Sequence, residues 1–367
     1  MSIIKRVYFY TVSIITLVIF AAGVQILLRL IFDLLTGTSQ VQVEAAGFKQ
    51  QQLSLGLAML VIGGTLWMLF WRAIQKQVAG NSTEIGSAIR KLFLNIILVI
   101  SSLTTLVTTA GVLNGAQPFA NRLATAIVAG GIWFYHWRVS EKEGQPSPAA
   151  QTLRRWYIYI LSAWGLVTLA IWLVQLISQA ILSLPIWGEA ITSNFLSTGL
   201  RRSLSWILVA GAAWTFHWFR MAKSDTDSTL RQVYLYLMAI PGSTIAGLVA
   251  LTTTLYKIIR FILGSLDVAP LVHFQFLGWA IPTMLVAAAI WGYHKQAAQE
   301  EAARLSERQL SARRIHLYLM SFIGLGTLIA GLIILLGIFI ELPTSTVGPA
   351  TVAATPGWWR QQLSLSL

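Results

Sequence analysis

The chain has 367 residues, 56% of them hydrophobic and 11% charged, well short of the roughly 25% charged residues of a soluble domain. It contains no cysteine, which excludes disulfides, thiolate metal sites, cysteine-ligated iron–sulfur clusters and covalent c-type haem attachment. The formal net charge is +13, but the basic residues lie in short segments between apolar runs, the pattern of a membrane protein rather than of a nucleic-acid binder.

A helix needs about 20 apolar residues to cross the hydrocarbon core. Runs of that kind predict nine helices, over 7–32, 53–71, 91–113, 121–137, 156–182, 203–219, 233–259, 274–293 and 315–340. The fourth and sixth are short and are expected to start in the headgroup region. The first follows Lys5 and Arg6 and runs on past Ala21-Ala22-Gly23, longer than a cleavable signal core, so it reads as a retained span. The longest hydrophilic segment runs only from Lys295 to Arg314, too short for a soluble domain.

Two motifs punctuate these runs. Trp-x-x-His-Trp closes an apolar run as Trp133–Trp137, with His136, and as Trp214–Trp218, with His217. Degraded copies are Trp291 with His294, and Trp67–Trp71, where Phe70 replaces the histidine. The second motif opens a run, as Arg6-x-Tyr8-x-Tyr10, Arg155-x-Tyr157-x-Tyr159 and Gln232-x-Tyr234-x-Tyr236; weaker copies are Arg90-x-Leu92-x-Leu94 and Arg314-x-His316-x-Tyr318. From the first residue of each copy the repeat spacings are 84, 65, 77 and 82, and the two motifs of one repeat stand 61, 43, 59 and 59 apart. The fold class is therefore all-α: a polytopic transmembrane protein of tandem two-helix repeats, over 1–80, 81–147, 148–226, 227–305 and an incomplete 306–367. Each repeat enters and leaves on one side, so the repeats are parallel rather than inverted. Gly63-Gly64, Gly130-Gly131 and Gly211-Ala212 would let backbones approach closely.

The chain's end carries a further expectation. Trp358 to Leu365 resembles Phe48 to Leu55, which leads into the second helix of the first repeat. Residues 358–367 are expected to be the start of a tenth helix beside the ninth, in a protein that continues beyond Leu367.

The Arg-Arg-Trp-Tyr-Ile-Tyr opening at Arg154 and the Trp-Thr-Phe-His-Trp-Phe-Arg ending at Trp214 resemble the bacterial membrane family known as domain of unknown function 5671. The resemblance covers almost the whole chain and is best in the third and fourth repeats; the first lacks the histidine and the second both tyrosines. It implies repeated pairs of transmembrane helices and a bacterial inner membrane, and it brings no catalytic residues.

On a helix, Trp133, His136 and Trp137 share a face, as do Trp214, His217 and Trp218. One reading is an interfacial belt in which Trp and Tyr sit at headgroup level and Arg and Lys snorkel. A more specific one is a lock, with an Arg stacked on a Trp and a Tyr hydroxyl bonded to the His. Its residues would be Arg6, Tyr10, Trp67, Trp71, Trp133, Trp137, Arg155, Tyr159, Trp214, Trp218, Tyr236 and Trp291. In the third repeat, Arg155 and Tyr159 are expected against Trp214, His217 and Trp218. A third reading makes His136, His217 and His294 candidate ligands of haem or chlorophyll, although each repeat offers one histidine where bis-imidazole haem needs two. His273 is expected to face solvent, and His316 to play the part of a motif tyrosine.

No Asp or Glu falls in the middle of a predicted span, whereas coupled transporters usually carry one there. The polar groups inside the spans are Gln25, Asn95, Thr104, Thr105, Thr108, Thr109, Gln175 and Gln179, expected to bond between helices. No H-E-x-x-H, G-x-S-x-G or P-loop occurs, so enzymatic activity is not expected. Eighteen of the 26 basic residues lie on the side of the N-terminus and motifs, which the positive-inside bias places in the cytoplasm. The function these features point to is an integral membrane scaffold or accessory subunit. Its expected partners are anionic lipids and other membrane subunits, without nucleic acid, metal or cofactor. A transporter or channel subunit is the alternative, and a haem- or chlorophyll-binding subunit the third reading.

Overall fold

A computed structural model describes residues 2–36, 47–187, 198–264, 266, 268–302, 311–344 and 358–366. Their elements are α1 (Ile3–Thr36), α2 (Phe48–Gly80), the short α3 (Ser82–Ile85), α4 (Ala88–Leu113), α5 (Phe119–Glu143), α6 (Pro148–Leu182) and α7 (Leu200–Thr215). After them come α8 (Thr229–Val233), α9 (Ile240–Ile262), α10 (Pro270–Phe274), α11 (Leu277–Ala302), α12 (Ser311–Thr344) and α13 (Trp358–Ser366). All nine predicted spans are helical, and most extend past the predicted bounds, because backbone hydrogen bonding continues through polar residues that apolarity cannot mark. Seven of the helices are long and apolar enough to cross a membrane; the fourth predicted span, within α5, and the sixth, which runs from α7 into the turn after it, are not among them. The fold is an all-α, membrane-spanning one.

π-helical turns run through two of the motifs. One, Phe216–Met221, continues α7 through the second Trp-x-x-His-Trp motif; the other, Tyr234–Ala239, joins α8 to α9 through a tyrosine motif. The latter ends just before Ile240-Pro241. Proline has no N–H to donate and needs room at the carbonyl four residues back, so a widened turn there accommodates it.

The chain divides into two compact units: Met1–Leu166 with Ser205–Lys223, and Val167–Leu204 with Ser224–Leu367. In the first, α1 packs along α2, and α4 along α5. The α1–α2 contact depends on glycine: a Cβ on Gly23 would lie 2.5 Å from the backbone nitrogen of Leu60, and one on Gly63 would lie 2.6 Å from that of Phe20. Gly131 meets nothing within 4 Å, so that half of the Gly130-Gly131 pair is not a close contact. The core of this unit is Tyr10, Leu17, Trp71, Ile74, Phe93, Leu94 and Ile97.

In the second unit α9 and the π turn before it pack on α11, and α13 packs on α12 and α9. The helix expected over 358–367 is thus present beside the ninth span as α13. Most of the connection before it, and part of those at 36–52 and 183–198, lies outside the described residues.

Hydroxyls within the spans are satisfied mostly by their own helix, through a carbonyl one turn back: Ser101 to Ile97, Thr105 to Ser101, Thr108 to Thr104, Thr125 to Asn121. Asn95 likewise bonds the Lys91 carbonyl. Of the polar set expected to bond between helices, Gln25 does so, donating to Asn121 Oδ1 at 2.6 Å. For Asn95, Thr105 and Thr108 local bonding wins, because lipid offers no alternative acceptor and the carbonyl one turn back is in reach.

Candidate functional site

The motif ends of the helices carry a repeated ring pair. Tyr157 faces His217 with ring centroids 5.4 Å apart, and the Tyr157 hydroxyl lies 3.2 Å from His217 Nε2. In the second unit Tyr234 faces His294 at 5.7 Å, hydroxyl to Nε2 3.4 Å. In the first repeat the same slots hold Tyr8 and Phe70, at 6.2 Å. In the second repeat they hold Phe93 and His136, at 6.5 Å. A motif tyrosine thus meets the motif histidine in the third and fourth repeats, through Tyr157 and Tyr234, the first tyrosine of each motif.

Phe93 also corrects the register. Aligning Arg90 with Arg155 left the second repeat without a tyrosine equivalent; the geometry places Phe93 in that slot. Arg90, Arg154 and Arg231 then stand equivalently, three residues before the ring. The guanidinium of Arg90 sits over Trp71 at 5.7 Å and that of Arg154 over Trp137 at 5.5 Å. Both stacks join a repeat to the one before it, whereas the expected stack lay within a repeat. Lys295 covers Trp291 at 4.3 Å.

Each of the three histidines has Nδ1 2.7–2.8 Å from the carbonyl four residues earlier: Ile132, Ala213 and Ile290. A carbonyl only accepts, so Nδ1 carries the hydrogen, and in the neutral ring Nε2 is left as an acceptor. Tyrosine hydroxyls donate to Nε2 of His217 and His294. His136, 1% exposed, faces a phenylalanine instead, and among the described residues its Nε2 has no partner. Trp67 Nε1, a donor, is likewise buried and unpartnered.

Behind the rings lies a charge cluster that the sequence reading missed. Arg90 and Lys91 are fully buried. The Arg90 guanidinium grips Glu143, with Nε 3.1 and 3.0 Å from the two carboxylate oxygens. It also donates to the Tyr10 hydroxyl at 3.2 Å and to Gln75 at 3.3 Å. Lys91 donates to Glu143 at 3.1 Å and to the Gly144 carbonyl at 2.7 Å. Arg6 chelates Glu84 through Nε at 2.9 Å and Nη2 at 2.5 Å, and this hydrogen-bonded partner holds the Glu84 carboxyl below its ordinary range. In the second unit Arg231 holds Glu301 at 2.7 Å. The signal was in the chain: Glu143 and Glu301 each fall seven residues after a motif histidine.

The remaining motif residues divide by burial. Tyr10, Trp71, Tyr159, Trp218 and Tyr236 are buried, Trp67, Trp133, Trp137 and Trp214 partly so, and Trp291 is exposed. Trp133 Nε1 donates to the Tyr157 hydroxyl at 3.2 Å and Trp71 Nε1 to that of Tyr135 at 2.5 Å. Trp214 backs onto Gly165, where a Cβ would come within 2.8 Å of its backbone nitrogen. Tyr236 donates to the Ala298 carbonyl at 3.2 Å. His273 does not face solvent: it is 4% exposed on α10, its Nε2 2.9 Å from the Lys257 carbonyl. Burial follows because α10 packs on α9, which a sequence reading of a loop could not anticipate. His316 does stand beside Tyr236, ring centroids 6.4 Å apart.

Two cavities open in the first unit. One of about 520 Å³ lies between α1, α4 and α5, with Gln25, Ser101, Thr104, Asn121 and Thr125 as its polar lining. The other, about 270 Å³, lies between α1, α2 and α5 and is walled by Phe20, Trp67, Tyr135 and His136 among aliphatic residues.

A family model described as Domain of unknown function (DUF5671) matches residues 6–117, 113–185 and 181–278. The chain belongs to this family. No curated protein and no solved structure matched it.

Proposed function

We propose that this member of the DUF5671 family is an integral membrane scaffold or accessory subunit that packs with other membrane proteins and lipid and performs no catalytic chemistry. The observation that carries the reading is the pairing of buried and partly buried charges with one another at the helix ends: Arg90 and Lys91 on Glu143, Arg6 on Glu84, Arg231 on Glu301. Charges so engaged hold helices in place and are not poised to bind and release an ion. The outward faces are apolar, most completely on α12, whose most apolar stretch is only 6% buried. The basic bias of the motif side supports a bacterial inner membrane with a cytoplasmic N-terminus, where each Lys or Arg near anionic lipid gains about 1 kcal/mol. Neither nucleic acid nor a cofactor belongs to this reading.

The test is purification from the native membrane in mild detergent. Membrane proteins should co-purify in fixed ratio; recovery of the chain alone, at native abundance, would overturn the reading. The same material should show no haem or chlorophyll absorption. A transporter or channel subunit is the second reading, favoured by the larger cavity and its amide pair Gln25–Asn121. Solute flux in proteoliposomes that is lost in Gln25→Leu would establish it instead.

A further inference from the structure

The larger cavity, between α1, α4 and α5, is graded along the helix axes. At the end away from the N-terminus its wall holds Gln25, Thr104, Asn121 and Thr125; towards the N-terminal side it is Ile14, Leu17, Ile97, Ala129 and Ile132. Ser101 and Thr125 spend their hydroxyls on carbonyls of their own helices. The amides are different. A side-chain amide has an acceptor oxygen and two donor hydrogens. The single 2.6 Å bond from Gln25 Nε2 to Asn121 Oδ1 leaves Gln25 Oε1 and Asn121 Nδ2 without a partner among the described residues. Both residues line the cavity and neither is buried.

A cation stands at the same end. Arg122 follows Asn121 and shares the α5 face of Thr125, Ala129 and Ile132, which line the cavity. Its guanidinium lies across α4, where a Cβ on Gly111 would come within 2.8 Å of Nη1. It donates to the Gln117 carbonyl at 3.4 Å and pairs with no carboxylate among the described residues. The depth of the cavity is that of one leaflet. From Gln25 to Ile14 the axis of α1 runs about 16 Å, against about 15 Å for half of the hydrocarbon core. Val18, which lines it, is 61% exposed, so the cavity opens on the lipid-facing surface of α1.

We propose that this cavity seats one acyl chain of a phospholipid from the leaflet away from the N-terminus, its ester carbonyl accepting from Asn121 and its phosphate from Arg122. The apolar wall takes the chain, and the amides lie where the chain meets its glycerol. The arginine beyond them offers the planar fork that fits phosphate oxygens. This goes beyond the scaffold reading and does not depend on it; it gives to a lipid the cavity that the second reading gives to a solute.

The test uses the full chain in detergent with dipalmitoylphosphatidylglycerol and dipalmitoylglycerol, which share their chains and differ in the phosphate headgroup. Retained lipid is counted by native mass spectrometry across a titration. The phospholipid should bind saturably and about tenfold or more tighter than the diacylglycerol, the worth of one charge-assisted hydrogen bond. Arg122→Gln should bring the two lipids level. An ether-linked phosphatidylglycerol lacks the carbonyls and should bind more weakly than the ester, a difference that Asn121→Leu removes. Val18→Trp fills the cavity from its exposed rim and should abolish the saturable binding. Val61→Trp, at a position 63% exposed on α2 that does not line the cavity, should leave it intact. Retention of both lipids alike, or saturable binding unchanged in Val18→Trp, would mean lipid around the protein only and would overturn the proposal. Should Arg122→Gln fail to fold, the two lipids on the unaltered chain and the Val18→Trp comparison still decide.

Discussion

The Tyr157 hydroxyl has three neighbours: His217 Nε2, to which it donates, and the indole of Trp133 and hydroxyl of Ser102, from which it accepts. Tyr157→Phe strands three buried groups at once. Each such group costs on the order of 1–3 kcal/mol, less where it finds another partner in the membrane. Thermal unfolding in detergent should fall well below that of Ser102→Ala, which removes one partner only. Glu143 is the counter-charge that two buried cations, Arg90 and Lys91, share; Glu143→Gln should destabilise by about 3–5 kcal/mol, read as loss of folded protein on size exclusion. Glu84 gives a pH signature. Its carboxyl is held low by Arg6, so its contribution is complete above the free glutamate value of about 4.3 and is lost as the pH falls through the lower folded value. Melting temperature measured from pH 6 down to pH 3 should drop more steeply for the unaltered chain than for Glu84→Gln.

Between helices, glycine sets the distance. Gly63→Ala drives a methyl into the backbone at Phe20 and must part α1 from α2, at about 1–3 kcal/mol; Gly131→Ala meets open space and should be neutral or slightly stabilising. Cysteine pairs introduced across α1 and α2, in a chain without cysteine, should cross-link less readily in the first variant only. Helix existence was legible throughout, because apolar runs of span length are unambiguous. The register between repeats was less so. Arg90-x-Leu92-x-Leu94 matched the motif by letter, yet packing put Phe93 opposite His136, one residue along. A single-residue slip is invisible to a spacing count when the residues of the motif are themselves missing. The Glu143 cluster escaped for a related reason: polar residues at a span's end read as solvated until the neighbouring helix is seen to cover them.

For the whole chain, topology is the property that charge alone predicts and packing cannot decide. Single cysteines at Asn81, Gly144, Asp225 and Gln299 should all be shielded from an impermeant thiol reagent in intact cells and labelled after lysis. Labelling at Gly144 or Gln299 without lysis would reverse the orientation. The tandem arrangement was readable because the motifs recur at membrane-crossing intervals; the cavities were not, since they depend on which side chains fail to meet.

The two π turns bear on how this chain tolerates changes of length. A π turn is an α-helix holding one residue more than its ladder needs, so Phe216–Met221 contains a residue that can be removed without disturbing what flanks it. Deleting Arg220 should restore an ordinary ladder and leave α7 seated, whereas deleting Leu103 from α4 turns everything beyond it by about 100° and takes that face out of the core. Expression and melting of the two deletions should differ accordingly. Homologous chains one residue shorter should then carry their gap within these turns.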